Sequence, residues 1–157
     1  MIYPDFEEFV ASLNARRVRY LIVGAYAVAF HARPRATKDI DVLVDRSPAN
    51  ARRVIAALTD FLGAAPPNVT VAKLTNPRTL IVLGVAPVRI DLLTSIDGID
   101  SFSSAWKQRA EGRFGDAPAH YLSLADLILA KAATPPSRAQ DKADLVVLRR
   151  VAARKKR

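Results

Sequence analysis

Residues 23–45 read VGAYAVAFHARPRATKDIDVLVD, and residues 88–98 read VRIDLLTSIDG. The first stretch opens at the end of an apolar, β-rich run, Tyr20-Leu21-Ile22-Val23, which predicts a strand over Arg19 to Gly24. The small residues Ala25 to Ala32 predict a short, closely packed helix, and Pro34 breaks the loop that follows. Lys38 to Val44 predicts a second strand and Val88 to Leu93 another. Asp39 and Asp41 lie two apart, so in a strand both side chains point to one face. Asp91 interrupts its own apolar strand in the same way.

Three carboxylates in otherwise apolar strands need a reason, because a buried charge is costly unless it is paired or bound to a metal. Two carboxylates held close repel, and one is driven to protonate. A divalent cation removes the conflict. Three carboxylates around Mg²⁺ describe a phosphoryl- or nucleotidyl-transfer site, with phosphates held by backbone N–H groups. Gly24 fits that picture. It ends a strand and opens a helix, where unpaired N–H groups and a partial positive charge suit a triphosphate. Taken singly, each feature has a plainer explanation: Gly24 an ordinary strand-to-helix turn, and the Asp pair the wet face of an edge strand.

Composition bounds the rest. A chain of 157 residues, half of them apolar, fits one domain with a real core. Its longest apolar run, Tyr20 to Phe30, is too short for a membrane span, which needs about 20 residues. The first residues lack the basic start and apolar block of a secretory signal. With no cysteine there are no disulfides and no thiol-held zinc. A cytoplasmic protein with no membrane partner is the expectation. The net charge of +9, from 24 Lys and Arg against 15 Asp and Glu, favours a polyanion such as RNA or DNA. A GC-rich coding sequence accounts for the arginine excess equally well. The terminal Arg154-Lys155-Lys156-Arg157 is a basic tail, either solvated or phosphate-holding.

Elsewhere, Pro4-Asp5 opens a helix to about Arg17 with Phe6, Phe9, Val10 and Leu13 at helical spacing. Ser47-Pro48 is an N-cap followed by a first-turn proline, and starts a helix to about Leu62. Strands are expected over Val69–Leu74 and Thr79–Leu83, a helix over Asp100–Arg109 and a short strand over His120–Leu122. Two closing helices are expected, one from Ser123 to before Thr134 and one from Ser137 to about Ala153. The fold class expected is α/β (α+β), a mixed β-sheet flanked by helices with a C-terminal helical pair. Residues 1–157 form one domain: a core over 1–122, the helices over 123–153 and the tail over 154–157.

These motifs, with residues 131–148, KAATPPSRAQDKADLVVL, resemble the DNA polymerase β-type nucleotidyltransferase superfamily, and within it the AbiEii-like bacterial branch. Many members of that branch are toxins of toxin–antitoxin pairs. The resemblance spans roughly residues 18 to 150. It implies a nucleotidyltransferase fold and a Mg²⁺-dependent enzyme that moves NMP from an NTP to a hydroxyl. Asp39, Asp41 and Asp91 would hold two Mg²⁺ ions, and Asp91 would help deprotonate the hydroxyl. Gly24 and Ala25 would form the phosphate turn, with Arg35 and Thr37 beside the phosphates. Lys131 would contact the nucleotide and Asp141 assist catalysis, with Asp144 one turn later on the same face.

Each late residue has a plainer alternative. Lys131 is explained by a solvated cation near a helix C-terminus, Asp141 by a first-turn dipole residue, Asp144 by a surface charge and Gln140 by a cap partner. Arg138 either holds a phosphate or sits in the first turn. His31 has no metal-ligating neighbour in sequence and reads as structural. The chain also departs from the superfamily pattern. Ala25 stands where that pattern has Gly or Ser, so a hydroxyl donor to phosphate is missing and the backbone N–H remains. Ala32 likewise replaces a second Gly.

The acceptor expected from the basic charge is RNA, tRNA in particular, with a protein side chain or a small molecule as alternatives. A cognate antitoxin is a further expected partner. The competing readings are a catalytically weakened nucleotide- or RNA-binding partner, which Ala25 motivates, and a metal-dependent nuclease. The nuclease reading leaves Gly24 and Lys131 without a purpose.

Overall fold

The computed structural model describes residues 3–34, 37, 39–85, 88–135 and 139–156. Its elements run α1 (Pro4–Ala15), β1 (Tyr20–Val23), α2 (Gly24–His31), β2 (Asp39–Val44), α3 (Pro48–Leu62), α4 (Val71–Thr75), β3 (Leu80–Val85), β4 (Val88–Leu93), α5 (Phe102–Lys107), β5 (Ala110–Phe114), β6 (Ala117–Tyr121), α6 (Leu124–Ala133) and α7 (Ala139–Lys155). Six strands make one mixed sheet in the order β3-β4-β2-β1-β6-β5. The central strand β2 runs antiparallel to β1 and parallel to β4. The α/β class, the flanking helices and the C-terminal helical pair are as expected.

The apolar spacing of the first helix explains its packing. Phe6, Phe9, Val10 and Leu13 are all buried, and the α1 face they form closes on the sheet and on α3. Burial of side chains this size contributes about 1.5–3 kcal/mol each. The helix ends in a two-bond Schellman cap. Val18 N–H donates to Leu13 O and Arg17 N–H to Asn14 O, both at 3.0 Å. The left-handed position of that cap, usually Gly, is Arg17 at φ 56°.

The register between β1 and β2 is pinned from outside the ladder. Ser47 caps α3 by accepting from Asn50 N–H, and Asn50 itself is buried at the foot of the two strands. Its Oδ1 accepts from Arg19 N–H at 2.8 Å, while Nδ2 donates to Arg19 O at 3.1 Å and to Asp45 O at 2.9 Å. With that end fixed, Tyr20 pairs with Val44 and Val23 with Asp41. A slip of one residue would turn both β2 aspartates to the opposite face.

Two expectations are corrected. Val69–Leu74 is not a strand. The Thr70 hydroxyl accepts from Lys73 N–H and caps the short helix α4, which buries Leu74. Side-chain capping and the burial of Leu74 outweigh the β preference of Val69 and Val71. The short strand expected at His120–Leu122 is the end of a full hairpin, β5–β6, turning at Gly115-Asp116 with Gly115 at φ 61°. Its strands are rich in Ala, Gly, Arg and Pro, residues that carry little strand signal. Packing decides instead: the Phe30 ring stacks on Tyr121 at 4.0 Å, and a side chain at Gly112 would strike it. The expected Asp100–Arg109 helix is the shorter α5. The expected Ser137 start of the last helix lies outside the described residues.

The Asn50→Ala variant is expected to lose about 2–3 kcal/mol, because it leaves the buried Arg19 and Asp45 backbone groups without partners. Urea unfolding against wild type measures it.

Candidate active site

Site residues from β1, α2, β2, β4, α6 and α7 meet at the C-terminal end of β1. In the parallel pair β2–β4, Asp39 lies opposite Arg89 and Asp41 opposite Asp91. On its other side Asp41 faces Val23, the last residue of β1. Asp41 is therefore bracketed by a second carboxylate and by the turn into α2. Asp91 is buried, with 8% of its surface exposed, while Asp39 is half-buried.

Gly24 is required at that turn. It sits at φ 66°, and a Cβ there would fall on the Asp41 Oδ2 atom. The bare backbone lets the first turn of α2 begin directly against the Asp41 carboxylate. No side chain caps that helix, and its first turn carries no acidic residue. Its leading N–H groups are an anion site in geometry. Ala25 follows, buried and without a hydroxyl to offer.

The electrostatics are those of crowded carboxylates. Burial, then the adjoining Asp91 carboxylate in hydrogen-bonding contact, then Asp39, push the Asp41 carboxyl up to about 7. Arg89 partly offsets this. Its Nε and Nη2 donate to Asp91 Oδ1 and Oδ2 at 2.8 and 3.1 Å, and Nε lies 3.8 Å from Asp39 Oδ2. This fork is bidentate, the strongest arrangement for an Arg–carboxylate pair. The sequence motif assigns Arg89 no role. The signal was present: it lies two residues before Asp91, on the same face of the same strand.

Among the described residues no group of three or more His, Cys, Asp or Glu side chains converges closely enough to hold a metal ion. The guanidinium of Arg89 lies against two of the three carboxylates, supplying the positive charge that the cluster needs. The donor set itself is all carboxylate oxygen on one sheet face, the chemistry that suits Mg²⁺. These carboxylates would hold such an ion only with Arg89 displaced and the side chains drawn closer together than they stand.

The late residues share a cleft with the turn. A cavity of about 340 Å³ is lined by Gly24, Asp41, Lys131 and Asp141, with Ile96 and Leu127 among its apolar walls. Lys131 Nζ donates to Asp141 Oδ1 and Asp144 Oδ2, each at 3.4 Å, and is mostly buried. Asp144 is fully buried and also accepts from Gln140 Nε2 at 2.9 Å. The surface-charge explanation for Asp144 is thus corrected, as is the solvated-cation explanation for Lys131. A buried carboxylate needs such a partner. The Asp141–Asp144 spacing on one helix face was the signal for it.

Thr37 is occupied locally. Its hydroxyl accepts from Asp39 N–H at 3.0 Å and donates to Asp39 O at 3.3 Å, steadying the start of β2. Arg35 and Arg138 lie outside the described residues. His31 shares a hydrogen bond with Leu122 O at 2.7 Å, and burial lowers its basicity, consistent with a structural role. Among the described residues no helix is long and apolar enough to cross a membrane. No protein-family model and no curated protein sequence matches the chain.

Because Asp41 binds its proton more tightly folded than unfolded, it lowers stability as pH rises from about 4 through about 7. Asp41→Asn removes that penalty. The variant is expected to be more stable than wild type at pH 8 by about 1–3 kcal/mol, with the gain vanishing near pH 4. Metal-free denaturation at the two pH values measures it.

Proposed function

We propose that this chain is a Mg²⁺-dependent nucleotidyltransferase of the DNA polymerase β type, moving NMP from an NTP to a hydroxyl acceptor. One observation carries the reading. Asp41 and Asp91 are register neighbours, the bare Gly24 backbone lies against Asp41, and Asp41 lines a cleft with Lys131 and Asp141. A structural ion pair would need neither the carboxylate contact nor the glycine.

Asp39, Asp41 and Asp91 would hold the Mg²⁺, which when bound would neutralise the triphosphate and favour ionisation of the attacking hydroxyl. The chain's own groups supply the rest. The N–H groups at Gly24, Ala25 and the start of α2 take phosphate oxygens, with Ala25 contributing backbone alone. Lys131, held by Asp141 and Asp144, offers a fixed ammonium at the cleft wall. The hydroxyl oxygen bonds to the α-phosphorus, the bond from that phosphorus to the pyrophosphate oxygen breaks, and the proton passes to Asp91. Catalysis is then mostly positioning and charge neutralisation. Arg89 must leave Asp91 before this carboxylate can act. The acceptor favoured by a net charge of +9 is RNA, tRNA among the choices, and a toxin role with a cognate antitoxin belongs to the same reading.

A second reading has an observation of its own. The Arg89 fork on Asp91 and the absent hydroxyl at Ala25 favour a weakened site that binds nucleotide without transferring it. One experiment separates the two. Purified protein is incubated with each labelled NTP, Mg²⁺ and total RNA or lysate. Label is expected to move to an acceptor, with Asp39→Ala and Asp41→Ala at least about 100-fold slower. Thermal stabilisation by NTP with Mg²⁺, but no label transfer in any mixture, would select the binder. RNA shortening in place of label transfer would select a nuclease.

A further inference from the structure

A second cavity lies at the other end of β1. It has about 860 Å³ of space, and its polar and aromatic wall is Asn14, Arg17, Arg19, Arg53, Trp106 and His120. Arg19 immediately precedes β1 and Gly24 immediately follows it, so the cavity and the carboxylate cluster are about 15 Å apart along the strand. The two sites are separate.

Three features of this groove ask for a ligand. First, it is basic and unneutralised. Among the described residues Arg17, Arg19 and Arg53 have no carboxylate partner, whereas Arg16 next door is closed on Asp60 at 2.6 Å and Arg109 on Glu111 at 2.6 Å. The nearby Glu111 carboxylate is spent on Arg109 and on His120 Nδ1 at 2.7 Å. Second, the arginines meet an aromatic wall. The Arg19 guanidinium carbon lies 5.7 Å from the centre of the Trp106 ring and that of Arg109 3.9 Å from it, Phe102 stacks on the ring at 5.9 Å, His120 meets it edge-on at 4.9 Å, and Trp106 stays partly exposed. Third, Arg17 holds the left-handed position of the α1 cap, where Gly would cost less. Strain kept at one position is a pointer to use.

We infer that this groove binds the phosphate backbone of a single-stranded polynucleotide, with Arg17, Arg19 and Arg53 on phosphates and Trp106 beside the bases. Guanidiniums match phosphate oxygens bidentately, and the part of the aromatic wall that Arg109 and Phe102 leave exposed accepts any base. An acidic peptide would satisfy the charge and leave the aromatic wall without a purpose. The inference goes beyond the catalytic reading and does not rest on it, since binding here needs neither NTP nor metal.

Trp106 is the one tryptophan in the chain, so its emission reports on this groove alone. Full-length protein is titrated with an oligouridylate and an oligodeoxyuridylate of about 12 nucleotides, without NTP or metal, at ~50 to ~200 mM salt. Quenching is expected with at least one of them, and the tighter binder names the sugar preferred. The salt slope should be about −2, as for three phosphates on a single strand. Arg17→Gly is expected to melt no lower than wild type, yet to bind several-fold more weakly with its slope reduced by about 0.7. Arg53→Gln should act alike and Arg16→Gln should change nothing. The inference is overturned by an absent quench, by Arg17→Gly and Arg53→Gln binding as wild type, by an equal loss in Arg16→Gln, or by polyglutamate quenching as well as the oligonucleotides. Failure of label transfer alone leaves it standing.

Discussion

The contact between Asp41 and Asp91 is the constraint around which the rest of the site is arranged. Two carboxylates on adjacent parallel strands are neighbours because β2 and β4 are in register. The fold meets the cost in two ways: Asp41 takes up a proton far more readily than a free carboxyl, and Arg89 forks onto Asp91. Neither device would be needed by a domain free to place leucine at these positions. The proposed chemistry would give this costly contact a use.

The scaffold spends its best-satisfied groups on keeping that contact in place. Asn50 ties the start of β1 and the end of β2 to α3 through three hydrogen bonds, far from the carboxylates themselves. Gly24 removes the one atom that would collide with Asp41. Lys131, Asp141 and Asp144 lock α6 to α7 and bring an ammonium to the same cleft. Positioning is distributed over the whole chain, while the proposed chemistry is confined to one sheet end.

Much of this was legible in the amino-acid order. The interrupted strands at Asp39, Asp41 and Asp91 stood out because period-two alternation and buried charge conflict there, and Ser47-Pro48 marked a helix start through local capping. What stayed hidden depended on distant partners. Val69 and Val71 look like strand residues until the Thr70 cap and the burial of Leu74 are seen together. Strand β5 has almost no intrinsic preference, and forms because β6 pairs with it and Phe30 covers Gly112. Asp144 reads as a surface charge until α6 supplies Lys131. Arg89 was visible as a letter, but its hold on Asp91 is a side-chain orientation that no motif encodes.

The guanidinium of Arg89 also separates two properties that often travel together. A carboxylate cluster without any cation would push its strands apart when stripped of ions. Here an internal positive charge remains on the same strand as Asp91. Chelators would therefore leave the sheet standing, and any activity they abolish would be lost from an intact scaffold.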